Sequence, residues 1–194
     1  MATHQVLIAG EWRDSDATQT FQASDPRAAT LIPEDYPVSS WAECEAALDA
    51  AGIAYAQLRE MPGEAIAAFL EAYATRIDAR SEEIRTSAAR ETALPAETRL
   101  VGELARTTGQ LRAAASATRS SAWQMPIIDS ANNIRSCFAP LGPVAVFGPN
   151  NFPLAFGSIS GGDFAAAIAA GNPVIGKANS MHPGTTRLLA EEAQ

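Results

Sequence analysis

Residues 144–186 read VAVFGPNNFPLAFGSISGGDFAAAIAAGNPVIGKANSMHPGTT. The apolar run Val144–Phe147 lies between Gly142-Pro143 and Gly148-Pro149, which marks a short strand between turns. Leu154–Ala170 reads as a helix and stops before Gly171-Asn172, a pair suited to the left-handed residue that ends helices. Pro173–Gly176 is a second short strand, Ala178–His182 a turn, and another helix opens at about Pro183. Strand, helix, strand, helix with short connections predicts a parallel βαβ unit and an α/β fold. Ligands bind beyond the carboxyl ends of such strands, which selects two loops, Gly148–Pro153 and Lys177–His182. The GxGxxG spacing is absent. GSISGG at Gly157–Gly162 is expected inside the helix, so a glycine-loop fingerprint has no support.

Charge divides the chain around this stretch. Between Ser136 and Thr186 only Asp163 and Lys177 are charged, so the segment is either buried on several sides or lines a ligand site. Upstream, Gln5–Ile8, Thr20–Gln22 and Asn133–Phe138 are strand candidates. A first helix starts near Ser40, where Ser40 and Glu43 have capping-box spacing. A second runs from Pro62 to about Asp78, with Ile66, Phe69, Leu70 and Tyr73 at helical spacing. A third follows Ser81, its first turn carrying Glu82 and Glu83, and a fourth spans about Pro95 to Ala117. These four read as packing helices without chemistry. Residues 1–138 are thus expected to form a peripheral, mostly helical layer, and 139–194 the start of a buried α/β core.

The composition excludes several function classes. The 194 residues include 14 basic and 22 acidic side chains, a formal charge of −8. A net acidic chain is poorly suited to nucleic-acid backbones, which demand clustered Lys and Arg. No apolar run approaches the ~20 residues that span a bilayer, and the N-terminus lacks signal-peptide texture, so a cytoplasmic globular protein without membrane contact is expected. Cys44 and Cys137 are too few for a disulfide framework or a zinc site, and no metal constellation emerges. Alanine occurs 41 times, which favours close-packed helices. Lysine occurs once, at Lys177, against 13 arginines.

Asn150 and Asn151 sit where a strand hands over to a helix. A side-chain amide there suits a developing oxyanion, although Pro, Asn and Gly also recur in turns for local backbone reasons alone. Lys177 leaves its strand at the ligand-facing end, three residues before Ser180. A ribose or phosphate there would meet an ammonium, a hydroxyl and a nearby helix N-terminus. A solvated lysine beside a capped helix is the plain alternative; the nearly uncharged flanks favour the ligand. Neither cysteine has a neighbouring histidine to lower its pKa, so both read as inert.

The Pro149–Leu154 turn, the A-x-A-x-G-N-P-V stretch at Ala167–Val174 and the following Lys177 resemble the cofactor-domain opening of the aldehyde dehydrogenase superfamily. G-E-W-R at Gly10–Arg13 and E-T-x-L-P at Glu91–Pro95 fit as well. Similarity spans nearly the whole chain. K-A-N-S-M-H-P-G-T and R-T-T-G-Q-L-R at Arg106–Arg112 are most similar to the NADP-using ketoglutarate-semialdehyde (2,5-dioxovalerate) dehydrogenases and related fatty aldehyde dehydrogenases. The resemblance implies an N-terminal helical layer with oligomerisation strands over residues 1–138 plus the first, incomplete part of a doubly wound, Rossmann-like cofactor domain over 139–194.

Carried over by position, the resemblance makes Asn151 the oxyanion asparagine for the thiohemiacetal formed when a cysteine attacks the aldehyde. Lys177 becomes the lysine that holds the adenosine ribose, with Phe147, Gly148, Pro149 and Asn150 as the wall along the cofactor and Asn179 beside it. Ser180 stands where NAD-preferring members often carry an acid, which implies NADP, with NAD as the alternative. Many members have Trp at the position of Asn150. Family members are more than twice as long, and their nucleophilic Cys and general-base Glu follow this Lys. The expectation is therefore an N-terminal portion of an NAD(P)-dependent enzyme, inactive alone, completed by a C-terminal portion and assembled as a homo-oligomer. The other readings are a truncated, non-catalytic subunit that joins full-length partners, and a stand-alone nucleotide-binding module, disfavoured because an open half-sheet exposes edge strands.

Overall fold

The Ser40 hydroxyl accepts a hydrogen bond from the Glu43 N–H, and the Glu43 carboxylate accepts one from the Ser40 N–H, as the Ser-x-x-Glu spacing predicts. This cap opens helix α1, Trp41–Leu58, in a computed structural model that describes residues 3–194. Ahead of it lie β1 (Val6–Ile8), β2 (Glu11–Arg13), β3 (Thr20–Phe21), β4 (Ser24–Asp25), β5 (Thr30–Leu31) and β6 (Tyr36–Pro37). They pair antiparallel as β1–β2, β3–β6 and β4–β5.

Helices α2 (Gly63–Ala79), α3 (Ser81–Thr92) and α4 (Val101–Ser120) follow, the last led by a wider π-helical turn at Ala96–Leu100. Arg119 pairs with Glu64 and Glu71 at one end of the α2–α4 contact and Arg112 with Asp78 at the other, so the two helices run antiparallel. Such solvent-facing pairs add little stability. The packing beneath carries more: Leu70, Ala74 and Ile77 of α2 and Leu104, Leu111 and Ala115 of α4 are buried. Their cluster continues without a break into Leu154, Phe164, Leu188 and Leu189. Tyr73 cross-links the parts, its buried hydroxyl shared between the carbonyls of Ile159 and Leu189 at 3.0 and 3.2 Å.

The hairpin β7 (Ile127–Asp129) and β8 (Ile134–Ser136) is antiparallel. Its second strand is shorter than predicted, because Asn133 is left-handed (φ +52°) and belongs to the turn. Strands β9 (Val144–Phe147) and β10 (Val174–Lys177) are parallel, with Phe147 opposite Lys177. Helices α5 (Gly162–Ala169) and α6 (Pro183–Ala193) complete the α/β architecture.

Strand alternation sends Val144, Val146, Val174 and Gly176 to one face of this sheet. That face packs on the core. Val146 is buried, and a Cβ on Gly176 would collide with Cγ2 of Ile159. The other face carries Phe147, 71% exposed, and Lys177, also exposed. The nearly uncharged segment is thus buried on one side and open on the other.

The helix predicted over Leu154–Ala170 begins only at Gly162. Residues 154–161 form successive tight turns, so GSISGG lies in the strand-to-helix connection, with only its last glycine opening the helix. A Cβ at Gly157 would fall 2.6 Å from the Pro153 carbonyl oxygen, and one at Gly161 would fall 2.6 Å from Phe156 Cα. The chain folds back more closely than a helix allows, which only glycine permits. The helix end is as predicted, with Gly171 left-handed at φ +78°. Among the described residues no helix is long and apolar enough to cross a membrane.

Candidate functional site

Phe147 and Lys177 stand side by side at the carboxyl ends of β9 and β10, and the two loops leave from there. Two side chains of the second loop tie it to the first. Asn179 donates from Nδ2 to the Gly148 carbonyl at 2.9 Å and accepts the Met181 N–H on Oδ1 at 2.9 Å. Buried His182 places Nε2 3.1 Å from the Pro149 carbonyl oxygen, which assigns the ring proton to Nε2.

Helix α4 holds the first loop from beneath. Oε1 of Glu103, a residue 3% exposed, accepts the N–H groups of Leu154 and Ala155 at 2.9 and 3.0 Å. Its other oxygen lies 2.7 Å from Arg99 Nη1, one helical turn earlier, as an ion pair off the aligned hydrogen-bonding direction. Arg99 lays its guanidinium 4.3 Å over the Phe152 ring and directs Nη2 toward the Asn151 carbonyl in a long 3.4 Å contact. The Asn151 backbone is bracketed on both sides. Its side chain is exposed and, among the described residues, takes no hydrogen bond. A fixed backbone with an uncommitted amide is what an oxyanion donor needs.

The N-terminus of α6 differs from the sequence expectation of a terminus open to phosphate. Buried Glu91 accepts the Gly184 N–H, the Thr185 N–H and the Thr185 hydroxyl at 2.8, 2.8 and 2.6 Å. A carboxylate therefore already fills the anion position there. Burial pushes the Glu91 carboxyl above its usual range, against the opposing pull of the Thr185 hydroxyl and the two N–H donors. Gly184 lies close beneath it, and a Cβ there would come 2.9 Å from both Glu91 Oε1 and the Tyr36 hydroxyl, so either side chain would have to shift. Besides the loop asparagines Asn150 and Asn151, the groups facing solvent at the strand ends include Phe147, Lys177 and Ser180.

A model of the aldehyde dehydrogenase family matches residues 12–194. The chain belongs to the aldehyde dehydrogenase family. It is 41% identical to alpha-ketoglutaric semialdehyde dehydrogenase 2 of Azospirillum brasilense, over 96% of this chain and 37% of that protein. It is 36% identical to the alpha-ketoglutaric semialdehyde dehydrogenase of Acinetobacter baylyi, over 89% of this chain and 36% of that one. Among solved structures, succinate-semialdehyde dehydrogenase from Burkholderia pseudomallei matches with a TM-score of 0.84 at 26% identity, covering 98% of this chain and 39% of its own. The chain thus spans little more than a third of the length of these relatives.

In this aldehyde dehydrogenase chain the fold brings Phe147, Gly148, Pro149, Asn150, Asn151, Lys177, Asn179 and Ser180 to one end of the β9–β10 pair. Asn179 is committed to tying the loops, and Asn150 and Ser180 are exposed. The two cysteines are free; Cys44 lies on α1 and Cys137 just after β8, outside both loops. Among the described residues no group of three or more side chains is arranged to hold a metal. Arg99 and Glu103 are the members that sequence reasoning missed, on a helix given no chemistry. Their only sequence signal is an Arg and a Glu four apart, the commonest arrangement of a solvent-facing pair.

Proposed function

We propose that this chain supplies the oxyanion asparagine and part of the nucleotide site of an NADP-using aldehyde dehydrogenase. Its substrate is a small semialdehyde with a distal carboxylate, 2,5-dioxovalerate first. The observation that carries this reading is the pairing of Asn151, its backbone pinned and its amide uncommitted, with Lys177 on the next parallel strand end. The names of the relatives support the semialdehyde class. The nucleophilic cysteine and general-base glutamate belong to a C-terminal portion, without which the chain is inactive. The complete enzyme is a cytoplasmic homo-oligomer, and the exposed isoleucines Ile127, Ile128 and Ile134 of the β7–β8 hairpin suit a subunit contact.

Attack of the cysteine thiolate on the aldehyde carbon forms a thiohemiacetal and places negative charge on the former carbonyl oxygen. Asn151 donates an amide N–H to that oxygen from a position set by Glu103 and Arg99. The donor set at the strand ends fits a dinucleotide: Lys177 offers an ammonium to ribose hydroxyls, and Phe147 and Gly148 border the open face beside it. Bound NADP would supply a hydride acceptor. Ser180 presents a neutral hydroxyl where an acid would repel a 2′-phosphate. The truncated-subunit reading draws on the same exposed hairpin but leaves the bracketing of Asn151 without a purpose.

The nucleotide assignment is tested by steady-state kinetics of the assembled enzyme with NADP and NAD, in wild type and in Ser180→Glu. The substitution is expected to raise KM for NADP about tenfold or more while affecting NAD far less, through repulsion of the extra phosphate. Equal effects on both nucleotides would place Ser180 away from the 2′ position.

A further inference from the structure

Arg106 has no role in the site as described, although it lies on the same side of α4 as the residues that hold the Asn151 loop. It lies three residues beyond Glu103 on α4, and the contacts of Arg99 with Phe152, Glu103 with Leu154 and Arg106 with Phe156 show that all three face the turn. Arg99 is ion-paired with Oε2 of Glu103, whose Oε1 is taken by two backbone N–H groups. Arg106 is exposed and, among the described residues, pairs with no acid. Its guanidinium lies 4.8 Å from the Phe156 ring, and Phe156 meets Phe152 edge-to-face with centroids 5.2 Å apart. Phe152 follows Asn151 directly.

The result is a strip of defined polarity. It begins at the uncommitted amide of Asn151, crosses two aromatic rings, of which Phe156 is 37% exposed, and ends at a cation placed over the second ring. A ligand matching it has an oxygen acceptor at one end, a short aliphatic spacer and an anion at the other. We infer that Arg106 is a specificity-determining residue that receives the distal carboxylate of a semialdehyde whose aldehyde carbon lies at Asn151. Phe152 and Phe156 flank the methylenes between. This rests on the dehydrogenase reading above and deepens it by assigning the substrate's second end. A guanidinium suits the task, because its planar fork binds a carboxylate through two parallel N–H donors while its face stays on the ring.

The test compares glutarate semialdehyde with pentanal, its neutral equivalent in chain length, on the assembled enzyme carrying wild-type chain, Arg106→Met or Arg106→Lys. Arg106→Met is expected to lower the ratio of kcat/KM for the semialdehyde to that for pentanal roughly 10- to 100-fold, mostly through KM. Arg106→Lys should recover part of the ratio, since it restores charge without the fork. A ratio unchanged in Arg106→Met would overturn the assignment and leave the dehydrogenase reading standing. If the wild-type assembly oxidises neither aldehyde, the dehydrogenase reading falls. Arg106 is then decided by titrating glutarate onto the chain and following the arginine Nε–Hε resonances. A larger shift at Arg106 than at exposed Arg135 supports a carboxylate site there, and equal shifts overturn it.

Discussion

Replacing Glu103 with alanine is expected to lower the stability of the chain by about 3–5 kcal/mol. The carboxylate is the acceptor for two backbone N–H groups, those of Leu154 and Ala155, in a segment that is itself buried. Each buried donor left without a partner costs about 1–3 kcal/mol. Arg99, its side chain only 32% exposed, would also lose its counter-charge. Glu103→Gln keeps one oxygen in place and is expected to cost less, about 1–2 kcal/mol. Urea unfolding of the three proteins measures this. An alanine variant within about 1 kcal/mol of wild type would mean that the Asn151 loop is held by its glycine contacts alone.

Asn151→Ala should behave in the opposite way. Its side chain is exposed, so the unfolding free energy should move by less than about 0.5 kcal/mol. In the assembled dehydrogenase, however, kcat should fall about 100- to 1000-fold, the usual consequence of removing one oxyanion donor. Asn151→Gln should not restore it, because the extra methylene moves the amide from the position that Arg99 and Glu103 set. Loss of rate together with loss of stability would indicate a structural asparagine. Retained rate would indicate that the oxyanion is bound elsewhere. Glu103 and Asn151 thus separate the scaffold of the site from its chemistry.

How much of this was legible depended on whether the physics was local. The Ser40–Glu43 cap, the left-handed Gly171 and the apolar run Val144–Phe147 are decided by a few neighbouring residues, and each forms as the sequence predicts. The start of α5 was misread because Leu154–Phe156 has helical texture, whereas Gly157 and Gly161 act through close approach to Pro153 and Phe156. The open phosphate position at α6 was misread because its blocker, Glu91, arrives from α3, more than 90 residues earlier. The support beneath Asn151 was invisible for the same reason. Glu103 looks like a surface acid until the fold places two distant N–H groups against it. The strand ends at Phe147 and Lys177 and the loops that leave them follow from local pattern, whereas Asn151 is singled out from its neighbours only by the family resemblance.

The most direct measurement is the appearance of NADPH absorbance with 2,5-dioxovalerate as substrate. It would be followed for the chain alone and for the chain combined with the cysteine-bearing C-terminal portion of a family member. No turnover is expected from the chain alone, and turnover is expected in the combination, abolished by removing either part. Aldehyde-dependent NADPH formation by the purified chain without any other polypeptide would contradict that expectation.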